Sequence, residues 1–172
     1  MIRGYIALTK NDLIKELEGF INWIEDWKLV EDTLLFKPIK EGKWTVAEII
    51  SHIMFWDKYL LNVTLPAMKD GADVESTEDY EEINSLASAY ALSEGMTGAH
   101  LIDELIESRI LLVNYLRGKT EEEFIAKFTL NGEEIDRFSG YPHTMFNYVA
   151  GFVWHDNHHK KQMKEYLETV DV

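Results

Sequence analysis

The chain has 172 residues, 46% of them hydrophobic, no cysteine, and 31 acidic against 17 basic residues for a formal net charge of -14. That length and apolar content suit one well-packed core, and the lack of cysteine excludes disulfides, thiolate metal ligands and a nucleophilic thiol of the protein's own. The basic residues are scattered, which argues against a nucleic-acid partner, because phosphate binding needs clustered cations. No window reaches the roughly 18 to 20 uncharged apolar residues of a membrane span. Met1 to Lys10 also lacks the pattern of a signal peptide, so the expectation is a single domain over 1–172, soluble and cytoplasmic, with no membrane partner.

The first helix is predicted from Thr9, where Thr9 and Asp12 form a capping pattern, and Leu13, Leu17, Phe20, Ile21, Ile24 and Trp27 recur at helical spacing until about Leu29. A polar connection with Pro38 and Gly42 follows. Thr45-Val46-Ala47-Glu48 is a capping box and starts a second helix that runs until Pro66 stops it. Its apolar residues nearly encircle it, which implies burial on several sides.

Gly71 to Asp79 reads as a surface loop, and Tyr80 to Tyr90 as helix. A stronger apolar run from Leu101 to Leu116 continues the third helical segment to Gly118, with a bend or break at Gly95 and Gly98, each costing about 1 kcal/mol inside a helix. Thr120 to Glu123 makes a further capping box. Phe128-Thr129-Leu130 and Ile135-Asp136-Arg137-Phe138 flank Asn131-Gly132, a dipeptide suited to a tight hairpin turn, so a short irregular or hairpin insertion is expected here. The last helix follows from Thr144 to about Thr169. Four main helical segments predict an all-α four-helix bundle.

Three of the six histidines fall in Trp154-His155-Asp156-Asn157-His158-His159. His155 and His159 are spaced i, i+4, which places them on one helix face about 6 Å apart along the axis, while His158 is turned away from that face. A third ligand would come from elsewhere, and His52 is the candidate because it lies mid-helix in an apolar segment, in phase with Ile49, Trp56 and Tyr59. By residue chemistry two readings stand side by side. One is a metal site on His52, His155 and His159; the other is a hydrogen-bonded core histidine beside a solvated pair. His100 and His143 fit caps and loop contacts. Trp44, Trp56, Tyr59, Tyr148 and Trp154 fit either a pocket wall or ordinary core. Asp156 and Gln162 are candidates to support the histidines, with a surface location equally open for Asp156. Glu48 and Asp57 lie near His52 by helical phase and fit capping or solvation equally well.

The segment Lys43-Trp44-Thr45-Val46-Ala47-Glu48-Ile49-Ile50-Ser51-His52-Ile53-Met54-Phe55-Trp56-Asp57 resembles the second helix of the DinB/YfiT-like superfamily, and Trp154-His155-Asp156-Asn157-His158-His159-Lys160-Lys161-Gln162 is similar to its last helix. Ile83-Asn84 and the run Leu101 to Leu116, with Glu104 and Arg109, are compatible with the same pattern. The resemblance implies an up-down-down-up four-helix bundle, often a homodimer, with zinc or nickel on His52, His155 and His159. It further implies either S-transfer with a low-molecular-weight thiol cosubstrate or hydrolysis of a small-molecule substrate. The competing expectation is a binding or sequestering stress-protection protein on the same bundle. Lys160 stands where arginine is frequent in the family, which removes a bidentate anion contact.

Overall fold

The computed structural model describes residues 8–77 and 79–170. Helix α1 spans Lys10–Glu25, and a 3-10 turn carries it on through Leu29. Thr9 and Asp12 cap it reciprocally, with Asp12 N donating to Thr9 Oγ1 at 3.2 Å and Thr9 N to Asp12 Oδ2 at 2.8 Å. One turn, α2 (Asp32–Leu35), leads to α3 (Val46–Tyr59), whose capping box joins Thr45 and Glu48 at 2.8 and 3.0 Å.

Pro66 does not stop this helix where the sequence predicted. The chain widens into a π turn over Leu60–Thr64, where Leu65 N donates to Leu60 O five residues back, and one last turn, α4 (Leu65–Ala67), contains the proline. Pro66 has no N–H to place in a regular ladder, and as an early residue of a new turn it loses nothing.

Strand β1 (Asp73–Val74) precedes α5 (Tyr80–Ala91) and α6 (Gly98–Arg117). The break expected between these helices is real, with Gly95 at φ +78. A short α7 (Glu121–Ile125), a second strand β2 (Thr129–Leu130) and the long α8 (Met145–Val170) complete the order. Thr144 caps α8, accepting from Asn147 N at 3.1 Å. No helix among the described residues is long and apolar enough to cross a membrane.

The segment before α8 departs from a simple hairpin. Asn131 and Gly132 do make the tight turn, with φ +50 and +79, but only Leu130 and Glu133 pair across it. Thr129–Leu130 instead pairs in parallel with Asp73–Val74. Asp136 accepts from Phe138 N and Ser139 N at 3.2 and 3.1 Å, folding the chain into a local turn that competes with a second strand. Ile135 then bridges to Pro142.

The helices form a bundle in which α3 packs against α5, α6 and α8, and α1 against α6 and α8. Two apolar clusters fill it. One gathers Phe20, Ile49, Ile53, Leu105 and Met163; the other gathers Leu17, Trp56, Leu112 and Val149. Each long helix crosses from one cluster to the other at the same level, and the buried polar residues His52, Asp57, Arg109, Asp156 and His159 lie at that waist.

Candidate metal centre

Helix α3 delivers His52, and α8 delivers His155 and His159 one turn apart. Their ligand atoms lie within 4.8 Å of one another. His52 and His159 are buried, and His155 is half-buried. His155 Nε2 is 2.8 Å from His52 Nε2 and 3.1 Å from His159 Nε2, so three ring nitrogens converge on one point.

The outward nitrogens are held by amide oxygens. His52 Nδ1 lies 2.9 Å from Asn84 Oδ1, and His159 Nδ1 lies 2.8 Å from Gln162 Oε1. Trp56 Nε1 donates to the same Asn84 oxygen at 3.2 Å. Because indole N–H can only donate, that atom must be the carbonyl oxygen, and His52 Nδ1 must carry the proton. His52 Nε2 therefore presents a lone pair inward, and with Gln162 Oε1 as the atom at its Nδ1, His159 takes the same form. Two lone pairs thus face His155 Nε2, which can supply one proton at most.

A shared cation satisfies all three nitrogens. Three neutral imidazoles with no carboxylate or thiolate suit zinc, nickel or copper, and amide oxygens on the outer nitrogens are the usual support for such ligands. Burial and the neighbouring rings push His52 down to about 3, and burial with His159 beside it pushes His155 down to about 4. Burial also lowers His159. The triad is accordingly neutral at pH 7, the form that binds metal.

Neighbouring helices fix these supports. Ser51 Oγ donates to Ala87 O at 2.7 Å, and Ser88 Oγ donates to the capping residue Glu48 at 2.6 Å, which locks α5 on α3 and sets Asn84 beside His52. Behind the triad, Arg109 from α6 grips both histidine-bearing helices. Its Nε and Nη2 meet Asp57 at 2.6 and 3.0 Å, its Nη1 meets Asp156 at 2.6 Å, and its guanidinium lies 4.8 Å from the Phe20 ring centre. Burial, with Asp156 adding a like charge, pushes the Asp57 carboxyl up to about 6 against the pull of Arg109.

A cavity of about 410 Å³ opens on His52 and His155, walled by Trp56, Tyr80, Tyr148, Phe152 and Trp154. On the far side, a smaller hollow of about 240 Å³ touches His159 and Gln162 and carries Lys43 and Trp44.

The sequence model of the DinB superfamily matches residues 16–163. The chain belongs to the DinB superfamily. No curated protein matches it. Among solved structures, this DinB protein is similar to YfiT from Bacillus subtilis, described as a probable metal-dependent hydrolase with an unusual four-helix bundle topology. The TM-score is 0.67 at 17% identity, covering 98% of this chain and 93% of that one. At that identity the likeness establishes the four-helix bundle fold.

The structure brings together the three histidines that the sequence singled out, and leaves His158 exposed, stacked on Trp154 at 5.6 Å. His100 is exposed beside Glu104, and His143 lies in the segment before α8 with its ring 6.1 Å from Phe128. Asp156 is buried on Arg109 rather than at the surface. Asp57 shares that cation, and Glu48 caps α3. Lys160 Nζ sits 5.4 Å from both the Phe20 and Trp23 ring centres, so its charge faces aromatic rings. Sequence reasoning assigned no role to Asn84 or to Arg109. Arg109 had a signal, being the only basic residue between Leu101 and Leu116; Asn84 had only the family-compatible pair Ile83-Asn84.

Proposed function

We propose that this DinB protein is a metal-dependent hydrolase in which His52, His155 and His159 hold one divalent ion, zinc or nickel, on a bundle of up-down-down-up connectivity. The observation that carries this reading is the convergence of three imidazole nitrogens, with His155 Nε2 2.8 Å from His52 Nε2 and 3.1 Å from His159 Nε2. Three protein ligands leave coordination positions free, as catalytic rather than structural sites do. When bound, the ion would supply Lewis acidity, lowering the pKa of a water or small thiol and polarising a substrate carbonyl.

The chain's own residues do the remainder. Asn84 keeps a proton on His52 Nδ1, and Gln162 does so for His159, so both imidazoles stay neutral donors of fixed orientation. Trp56 and Phe152, with ring centres 6.0 Å apart, give the cavity a dry wall beside the triad. Arg109 holds α3 and α8 at a constant separation.

Hydrolysis is favoured because the cavity that reaches His52 and His155 has no cationic side chain to fix a carboxylate-bearing thiol, and because the YfiT fold relative is described as a probable hydrolase. One observation supports S-transfer instead: Lys43 stands in the hollow behind His159, where an anionic thiol could dock.

The test is elemental analysis of protein purified without a histidine tag, followed by p-nitrophenyl acetate hydrolysis and conjugation of a thiol to monochlorobimane. The expected result is one zinc or nickel per chain and ester hydrolysis, both abolished in His155→Ala. Conjugation alone selects S-transfer, tight ligand binding with no turnover selects sequestration, and no metal uptake overturns the metal centre.

A further inference from the structure

We infer that the 410 Å³ cavity takes an uncharged aromatic molecule of one or two rings as its substrate. Among the described residues, no Lys, Arg, Asp or Glu lines it. Its polar groups belong to Ser76, Asn84, the tyrosines, the two histidines and the indoles, and burial pushes the Tyr148 phenol up to about 12. At the end of the cavity away from the triad, no described residue offers a counter-charge to a carboxylate, phosphate or ammonium, and burial of such a group without a partner is strongly unfavourable.

Aromatic rings in contact with one another line the cavity. Trp56 contacts Tyr80 at 5.6 Å and Phe152 at 6.0 Å between ring centres, and Phe152 contacts Tyr148 at 5.3 Å. Such a row offers ring faces and edges to a flat guest. Length follows from helix geometry. His155 and Tyr148 lie seven residues apart on α8 and both line the cavity, which separates them by about 10 Å along the axis. Two linked rings fill that span.

Gly151 supplies the width. It lies in the interior of α8, where glycine costs about 1 kcal/mol relative to alanine, and its φ is not in the left-handed region. A Cβ built there meets nothing within 4 Å, and the residue lines the cavity. The helix gives up propensity at a position that lines the cavity and has open space for a side chain. Charge acts in the same direction. The neighbouring hollow, which shares Tyr148, Phe152 and Gly151 with this one, carries Glu133 and Asp136 against Arg137, and the chain as a whole is at -14. Anions are repelled on approach.

This inference rests on the metal-centre reading only for which end of the guest faces the histidines, so the test uses non-chelating probes and metal-free protein. Calorimetric titration should show 4-phenylphenol binding at least tenfold more tightly than 4-phenylbenzoate. Gly151→Leu, at an exposed helical position that tolerates a larger residue, should weaken 4-phenylphenol at least tenfold while its melting temperature and its zinc stoichiometry stay at wild-type values. Equal or tighter binding of 4-phenylbenzoate, or an unchanged 4-phenylphenol affinity in Gly151→Leu, overturns the inference. Binding of 4-phenylphenol by a wild-type protein that takes up no zinc or nickel supports this substrate class and overturns the metal centre alone.

Discussion

Asn84 is the residue on which the chemistry of the triad turns. Its single oxygen receives a proton from His52 and another from Trp56, and so decides which nitrogen of His52 faces inward. Asn84→Ala should lower zinc affinity by about 10- to 100-fold, the usual loss when support for a ligating histidine is removed, with little change in melting temperature of the metal-free protein. Competition against a fluorescent chelator measures it. The same residues predict a pH dependence. His52 and His155 titrate near 3 and 4 in the folded chain, below the usual 6.5 of an unfolded histidine. The unfolded state therefore binds more protons across that interval, and stability of the metal-free protein falls as pH drops from about 6.5 toward 4, by up to about 1.4 kcal/mol per pH unit for each histidine. Above pH 7 these two groups contribute no slope. Urea titrations at a series of pH values, repeated on His52→Gln, would show whether the slope belongs to the triad. Arg109 makes a sharper case. Arg109→Met leaves two buried carboxylates unpaired and should cost about 3 to 5 kcal/mol, whereas adding Asp57→Leu and Asp156→Leu should recover most of it.

At the scale of elements, the capping boxes at Thr9, Thr45 and Thr120 were legible because each is a local pattern of four residues, satisfied by its own backbone. The i, i+4 histidine pair was legible for the same reason. What stayed hidden depended on partners distant in sequence. Thr129–Leu130 keeps one hairpin bridge, from Leu130 to Glu133, and takes Asp73–Val74 as its parallel partner, a pairing that no local signal announces. Asp57 and Asp156 look like solvated positions until Arg109 is placed between them from a third helix. Gly98 begins α6 at the expected break, and it is also a close approach between helices. A Cβ there would lie 2.2 Å from Leu35 Cδ1 and 2.8 Å from Asp32 Oδ1, the oxygen that accepts from Gly98 N. Gly98→Ala should therefore destabilise by about 1 to 3 kcal/mol, although alanine is the better helix former, and chemical denaturation would detect the sign.

The whole molecule has two apolar clusters divided by a polar waist. The waist contains the triad on one side and the Arg109 network on the other, so a cation bound by the histidines is coupled to the packing of every long helix. Zinc at 100 times its dissociation constant should stabilise the fold by about 2.7 kcal/mol, visible as a rise in melting temperature that His155→Ala removes. The triad also joins residues 103 positions apart in the chain. At a synthesis rate of about 5 to 20 residues per second, His52 leaves the ribosome's active centre about 5 to 20 s before its first partner is made. During that interval a growing chain holds one imidazole of the triad. An ion held by all three histidines would therefore load only on chains translated past His159, and its arrival would certify that the last helix has been made and has docked.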